Sequence, residues 1–168
     1  MRYWKEKRSM DKDRIKLDRM RYVKDNMPSN FAILAIVFDV LYFVLIYKIN
    51  NEFFYNFLIG ISIIVNLLFM LFGFWSSIEV KNYHGKFGYF MIALGVVQII
   101  RIFIYPMRAH AATYLGPDGS AVPVMNNSQF MLSIVYLCAA AAFMILGGLM
   151  SIKNSRTLQN YLDSIEKK

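Results

Sequence analysis

The sequence predicts an all-α membrane protein: a four-transmembrane-helix bundle with N- and C-terminal cytoplasmic helices and a short external hairpin loop. Four apolar runs cover residues 31–49, 53–75, 87–105 and 130–152, within a membrane domain of residues 29–152. At about 1.5 Å per residue, each run is long enough to cross a hydrocarbon core of about 30 Å. Hydrophobic residues make up 57% of the chain and charged residues only 18%, whereas soluble domains average about 25% charged residues.

The distribution of basic residues predicts the orientation. Residues 1–30 contain ten Lys or Arg, the loop between the second and third runs adds Lys81 and Lys86, and four more follow Ile152. The other two loops contain only Lys48 and Arg108. Because basic loops stay in the cytoplasm, we expect a multi-pass protein of the plasma membrane with both termini cytoplasmic.

Residues 1–28 predict a basic juxtamembrane helix, since opposite charges recur three and four residues apart. Pro28 is expected to end this helix, and Ser29 or Asn30 to cap the first span. Residues 1–30 combine ten basic with five acidic residues. Beside a membrane span, this excess of positive charge favours contact with anionic lipid headgroups and argues against nucleic acid as a partner.

Residues 153–168 predict an amphipathic cytoplasmic helix that continues the fourth span. Its apolar residues follow the i, i+3, i+4, i+7 pattern of one helix face, and small residues in the fourth span allow another helix to approach closely. The apolar face of the tail is expected to pack against the N-terminal helix, the membrane surface or another subunit. The small residues of the fourth span are expected to serve either packing within the bundle or docking of a membrane partner. The candidate partner-docking residues are Leu158, Tyr161, Leu162, Ile165, Ala142 and Gly147.

Three loops are predicted between the spans. The first is short, around Asn50–Asn51, and the second, Ser76–Lys86, connects the second and third spans. The third, residues 106–129, is external and contains the turn sequence Gly116-Pro117-Asp118-Gly119. Proline presets φ at the second position of such a turn, and the last glycine accepts positive φ, so the flanking residues are expected to form a short hairpin.

Four polar side chains occur inside the apolar runs, where a charge costs at least about 2.5–3.5 kcal/mol. They are Asp39, Asn66, Gln98 and Arg101. Counting residues puts the first three in one layer and Arg101 about 9 Å further out. We predict that Asp39 and Arg101 pair inside the bundle, flanked by the two amides. Alternatively, Asp39 serves a proton or cation pathway, or pairs with a different subunit while Arg101 reaches the outer interface.

Catalytic and metal-binding signatures are absent from the sequence. The two histidines, His84 and His110, are predicted on opposite sides of the membrane, so they cannot share a metal ion. Cys138 is the single cysteine. We therefore expect no enzyme activity, no metal and no cofactor.

Three stretches carry a resemblance to known proteins: Asp11–Asp25, residues 38–43 and Arg101–Thr113. Through them the chain resembles a group of small four-span membrane proteins from low-GC Gram-positive bacteria, over nearly its whole length. That group has no settled activity, so the resemblance implies the fold and assigns no residue a role. A carboxylate in the first of four spans, Asp39, is also similar to small multidrug exporters. Those proteins have a shorter N-terminus and lack a long external hairpin.

The sequence favours a non-catalytic integral subunit or accessory protein of a larger membrane complex, with a bacterial ABC-type transporter as the expected partner. The alternative is a small homo-oligomeric cation- or proton-coupled transporter or channel that uses Asp39. An enzyme acting on lipid would need a cluster of aspartate or histidine ligands that the apolar runs lack.

Overall fold

The structure is a computed structural model that describes residues 25–49 and 57–166. The predicted N-terminal helix, up to residue 24, and the predicted loop at Asn50–Asn51 lie outside the described residues. Within them the chain forms five helices and two short strands. These are α1 (Met27–Lys48), α2 (Phe57–Lys81), α3 (Gly85–Ile104), α4 (Pro106–Ala111), β1 (Thr113–Leu115), β2 (Ala121–Pro123) and α5 (Asn127–Glu166).

Four described helical segments are long and apolar enough to cross a membrane: Met27–Lys48, Gly60–Lys81, Gly85–Ala111 and Asn127–Ser164. Each buries one face in the bundle and exposes apolar side chains on the other, such as Val37, Leu71 and Ile100. Apolar residues on all sides of a helix are typical of a helix that packs on protein on one side and on lipid on the other. The prediction of a multi-pass membrane protein with four helical spans is confirmed.

Helix α5 packs along both α1 and α3, and α2 packs mainly on α1. Helices α1 and α3 therefore face each other across the bundle and pack little on each other directly. Helices α3 and α5 approach each other closely at Gly88 and Gly148. A Cβ atom added at Gly148 would lie 2.6 Å from the carbonyl oxygen of Gly88, so only glycine at this position allows the two backbones to pack so closely.

The start of α1 differs from the prediction, because neither Ser29 nor Asn30 caps the helix. Pro28 lies in the first turn, where its missing N–H removes no helical hydrogen bond. The N–H of Met27 instead donates to Asp25 Oδ1 at 3.0 Å. Ser29 is buried inside the helix, with its Oγ 3.4 Å from Ser77 Oγ on α2.

The predicted loop Ser76–Lys86 is wrong over most of its length. Helix α2 continues to Lys81, and only residues 82–84 connect it to α3. The serines that end the apolar run do not end the helix, since Ser76 Oγ donates to the carbonyl oxygen of Phe72 one turn earlier at 2.8 Å. The chain turns at Tyr83, which has φ +58°.

Residues 106–129 form an ordered cap over the other end of the bundle. Helix α4 follows α3 directly, and β1 and β2 then pair as an antiparallel hairpin with Tyr114 opposite Val122. Helix α5 begins in a reciprocal capping box, because Asn126 Oδ1 accepts from the N–H of Gln129 and Gln129 Oε1 accepts from the N–H of Asn126. This end is called the hairpin end below, and the opposite end, at Asp25 and Tyr83, the Tyr83 end.

Helix α5 is continuous over 40 residues, a length of about 60 Å. It is about twice as long as the thickness of a hydrocarbon core. The spanning part and the amphipathic tail therefore form one helix with no intervening stop.

Candidate functional site

A buried polar network joins three helices at mid-depth in the bundle. Arg101 Nη1 on α3 donates to Asp39 Oδ1 on α1 at 2.7 Å, and its Nη2 donates to Asn66 Oδ1 on α2. Gln98 Nε2 donates to the same Asp39 oxygen at 2.9 Å, and Gln98 Oε1 accepts from Arg101 Nη1. The structure thus brings together all four polar residues that the sequence singles out.

The direction of the arginine side chain explains how it reaches Asp39 despite the axial offset expected from the sequence. In an α-helix the Cα–Cβ bond tilts toward the N-terminus of the helix. Helix α3 begins at the Tyr83 end, so this tilt carries the guanidinium of Arg101 back toward that end. It therefore arrives at the depth of Asp39.

Two aromatic rings complete the surroundings of the guanidinium. Its Cζ atom lies 5.0 Å from the ring centre of Tyr42 and 5.8 Å from that of Phe69, distances at which a cation interacts favourably with an aromatic face. Tyr42 also hydrogen-bonds Ser62. Tyr42 follows Asp39 by three residues and Phe69 follows Asn66 by three, so each ring shares a helix face with a polar member of the network.

The network has no net charge and is closed to solvent. The exposed fraction is 0% for the Asp39 side chain and 4% for that of Arg101. The guanidinium meets acceptor oxygens from all three helices, and its charge is compensated by one carboxylate. A buried ion pair is tolerated only with such compensation and added hydrogen bonds. These hydrogen bonds can fix the axial positions of α1, α2 and α3 relative to one another.

Two polar atoms of the network make no hydrogen bond to any described residue: Asp39 Oδ2 and Asn66 Nδ2. One is an acceptor and the other a donor. Asp39 and Asn66 bind neighbouring nitrogens of the same guanidinium, so the two residues lie side by side. A role in holding the helices together does not require either atom to lack a hydrogen bond, and buried polar atoms without one are rare in proteins.

The candidate docking residues have different surroundings. Ala142 is exposed on the outer face of α5, as expected for a residue available to a partner. Gly147 is buried, and a Cβ there would lie 2.7 Å from Met91 Cε and 3.0 Å from Phe31 Cβ. In this chain the small residue serves packing of α5 on α1 and α3, and its part in partner docking stays a prediction. Leu158, Tyr161 and Leu162 are half-buried, and the side chain of Ile165 lies outside the described residues.

A second polar cluster at the Tyr83 end was missed by sequence reasoning. The N–H of Asp25 donates to Tyr83 Oη at 2.8 Å, and Asn154 Nδ2 donates to Asp25 Oδ2 at 2.6 Å. Ser155 Oγ donates to the carbonyl oxygen of Tyr83 at 2.7 Å. These bonds tie the start of α1, the α2–α3 connection and α5 together. Only the polar Asn154-Ser155 pair inside a helical pattern hinted at such a contact.

Among residues 25–49 and 57–166, no group of three His, Cys, Asp or Glu side chains is placed to hold a metal ion. No protein-family model, curated protein or solved structure matches the chain. The resemblance to four-span proteins of low-GC Gram-positive bacteria therefore stays a prediction, and function has to be argued from the network and the surfaces.

Proposed function

We propose that the protein is a non-catalytic integral subunit or accessory protein of a larger membrane complex, with a transporter of the ABC type as the partner class. The observation that carries this proposal is the closed Asp39–Arg101 network. Its carboxylate and guanidinium bind each other, and both are shielded from lipid and solvent. A charge pair closed in this way suits a role in setting the register of helices, and it presents no charged group to a substrate.

The surface available to such a partner is the outer face of the spans. On α5 this face contains Ala142 and Cys138 between larger apolar residues. Small residues on a lipid-facing helix allow the backbone of a neighbouring helix to approach closely. The role of the protein would then be to position or stabilise the spans of its partner.

The proposal includes the orientation expected from the sequence, with the Tyr83 end and both termini in the cytoplasm and the hairpin end outside the plasma membrane. Its support is the charge bias: residues 1–30 contain ten Lys or Arg, and Arg108 is the only basic residue between 106 and 129. Basic residues at the cytoplasmic surface would also contact anionic headgroups.

The experiment is recovery of partners in mild detergent, with two tryptophan variants compared. Ala142→Trp places a large ring on the small part of the α5 surface. Leu149→Trp is the matched control, since Leu149 lies on the same helix and is 53% exposed. We expect the wild-type chain and the control to recover the same membrane subunit and Ala142→Trp to lose it. A chain that runs alone as a monomer in all three forms contradicts the proposal.

A second candidate function is cation- or proton-coupled transport through a homo-oligomer, and the observation that favours it is the unbonded Asp39 Oδ2. A carboxylate oxygen buried at mid-depth can bind a proton or a cation, and carboxylates inside spans occur in ion and proton pathways. Flux into proteoliposomes, measured for wild type and for Asp39→Asn, separates the two functions. Equal fluxes remove the carboxylate from any transport mechanism, whereas loss of flux in a folded Asp39→Asn chain favours transport over the accessory role.

A further inference from the structure

The last part of α5 extends beyond the rest of the described bundle. Asp25 and Tyr83 contact α5 at Asn154 and Ser155. The described part of α1 begins at this level, and α2 turns into α3 here. Helix α5 nevertheless continues for eleven more residues to Glu166, which is about 16 Å. Residues 156–166 are called the α5 extension below.

One face of the α5 extension is covered and the other is open. Leu158, Tyr161 and Leu162 are half-buried, and their i, i+3, i+4 spacing puts them on one side of the helix. The residues around them in the sequence are exposed: Thr157, Gln159, Asn160, Asp163 and Ser164. The difference in exposure follows the helix period, so the apolar face is the one that a neighbouring segment would cover.

We infer that the N-terminal segment of this chain, residues 1–24, docks on the apolar face of the α5 extension. The segment connects directly to Asp25, and Asp25 is held at Asn154, one turn before Leu158. Its 24 residues are long enough to run along the whole extension even as a helix, at about 1.5 Å per residue. Residues 50–56, also outside the described residues, connect α1 to α2 at the hairpin end and therefore cannot reach this face. Residues 167–168, which follow Glu166, are too few to cover it.

The composition of the segment fits this surface. Met10, Leu17 and Met20 are spaced by seven and three residues, so in a helix they share an apolar face. The remaining positions are mostly charged, as expected for the side that faces water. A segment that docks on the extension and leads into Asp25 would run antiparallel to the extension. Met20 precedes Asp25 by five residues and Leu158 follows Asn154 by four, so Met20 is expected next to Leu158.

This docking goes beyond the proposed function and does not depend on it, since the contact is made within one chain. In this proposal the candidate docking residues Leu158, Tyr161 and Leu162 contact the N-terminal segment of the same chain. A partner subunit would then contact the outer face of the spans and leave the α5 extension to the N-terminal segment.

Disulfide cross-linking of the full chain tests the inference. Cys138 is first replaced by alanine, which leaves a chain without cysteine. Cysteines are then introduced as Met20→Cys with Leu158→Cys, and in a matched control as Met20→Cys with Asn160→Cys, because Asn160 is exposed on the opposite side of the extension. After mild oxidation in detergent, free thiols are counted from the gel shift produced by a polyethylene-glycol maleimide.

We expect the Leu158 pair to lose both free thiols in the monomer at least tenfold faster than the Asn160 pair. Equal rates for the two pairs would overturn the inference, because they indicate a segment with no preferred face. Absence of the intrachain disulfide in both would overturn it as well. A disulfide-linked dimer of the Leu158 pair would assign the face to a second copy of the chain and not to its own N-terminal segment.

Discussion

Arg101 Nη1 lies 2.7 Å from Asp39 Oδ1, and this ion pair links two helices that pack little on each other directly. Among the described residues, α1 and α3 each pack far more extensively on α5 than on each other. The pair therefore acts across the centre of the bundle, where Asn66 and Gln98 add the remaining hydrogen bonds. We regard it as the polar core of a scaffold whose outer faces are apolar.

The contact between α3 and α5 predicts a large effect from a small substitution. Gly148→Ala would put a Cβ atom 2.6 Å from the backbone oxygen of Gly88, and a backbone cannot move aside as a flexible side chain can. We expect the free energy of unfolding in micelles to fall by about 1–3 kcal/mol. Gly60→Ala is the matched control, since nothing lies within 4 Å of the added atom. There we expect no loss, or a gain of about 0.5–1 kcal/mol.

The cluster at the Tyr83 end predicts a difference between two Tyr→Phe variants. Tyr83→Phe removes the acceptor of the Asp25 N–H, which is partly buried, so we expect a loss of about 0.5–1.5 kcal/mol in unfolding free energy. Hydrogen exchange in the first turn of α1 should also become faster. Tyr89→Phe removes an exposed hydrogen bond from Arg156 and should change neither quantity. Equal effects of the two substitutions would contradict a role for the cluster in holding α1.

The proposed orientation predicts which residues can be labelled from outside the cell. In the Cys138→Ala background, Ser120→Cys at the exposed hairpin turn should react with a membrane-impermeant maleimide in intact cells. Asn160→Cys on the α5 extension should react only after the cells are permeabilised. The opposite pattern would reverse the orientation, and labelling of both residues in intact cells would contradict a crossing of the membrane by α5.

The four spans could be predicted from the sequence because length and hydropathy alone decide whether a helix can cross a membrane. The ends of the helices could not. Helix α2 continues beyond Ser76 because the serine hydroxyl can donate to a carbonyl oxygen of the preceding turn. The sequence of the apolar run does not indicate that the helix continues. Gly147 shows a related limit, since a small residue suits contact with a partner and contact within the bundle equally well.

The members of the polar network were predictable because charged and amide side chains are rare inside apolar spans. Counting residues along the helices put Arg101 too far along the bundle axis to reach Asp39. The side chain of Arg101 points toward the start of α3, and this direction accounts for the axial offset. The two aromatic rings beside the guanidinium were harder to predict, because tyrosine and phenylalanine, here Tyr42 and Phe69, are common residues in a transmembrane span. Only their spacing from Asp39 and Asn66 marks them.

The central claim, that Asp39 and Arg101 stabilise the bundle as a pair, is tested most directly by a double-mutant cycle of unfolding free energies with Asp39→Asn, Arg101→Gln and the double variant. Each single change leaves an uncompensated buried charge, so we expect losses of about 3–5 kcal/mol. The double variant should lose less than the sum, with a coupling energy above about 1.5 kcal/mol. Single effects that add to within about 0.5 kcal/mol would contradict the account.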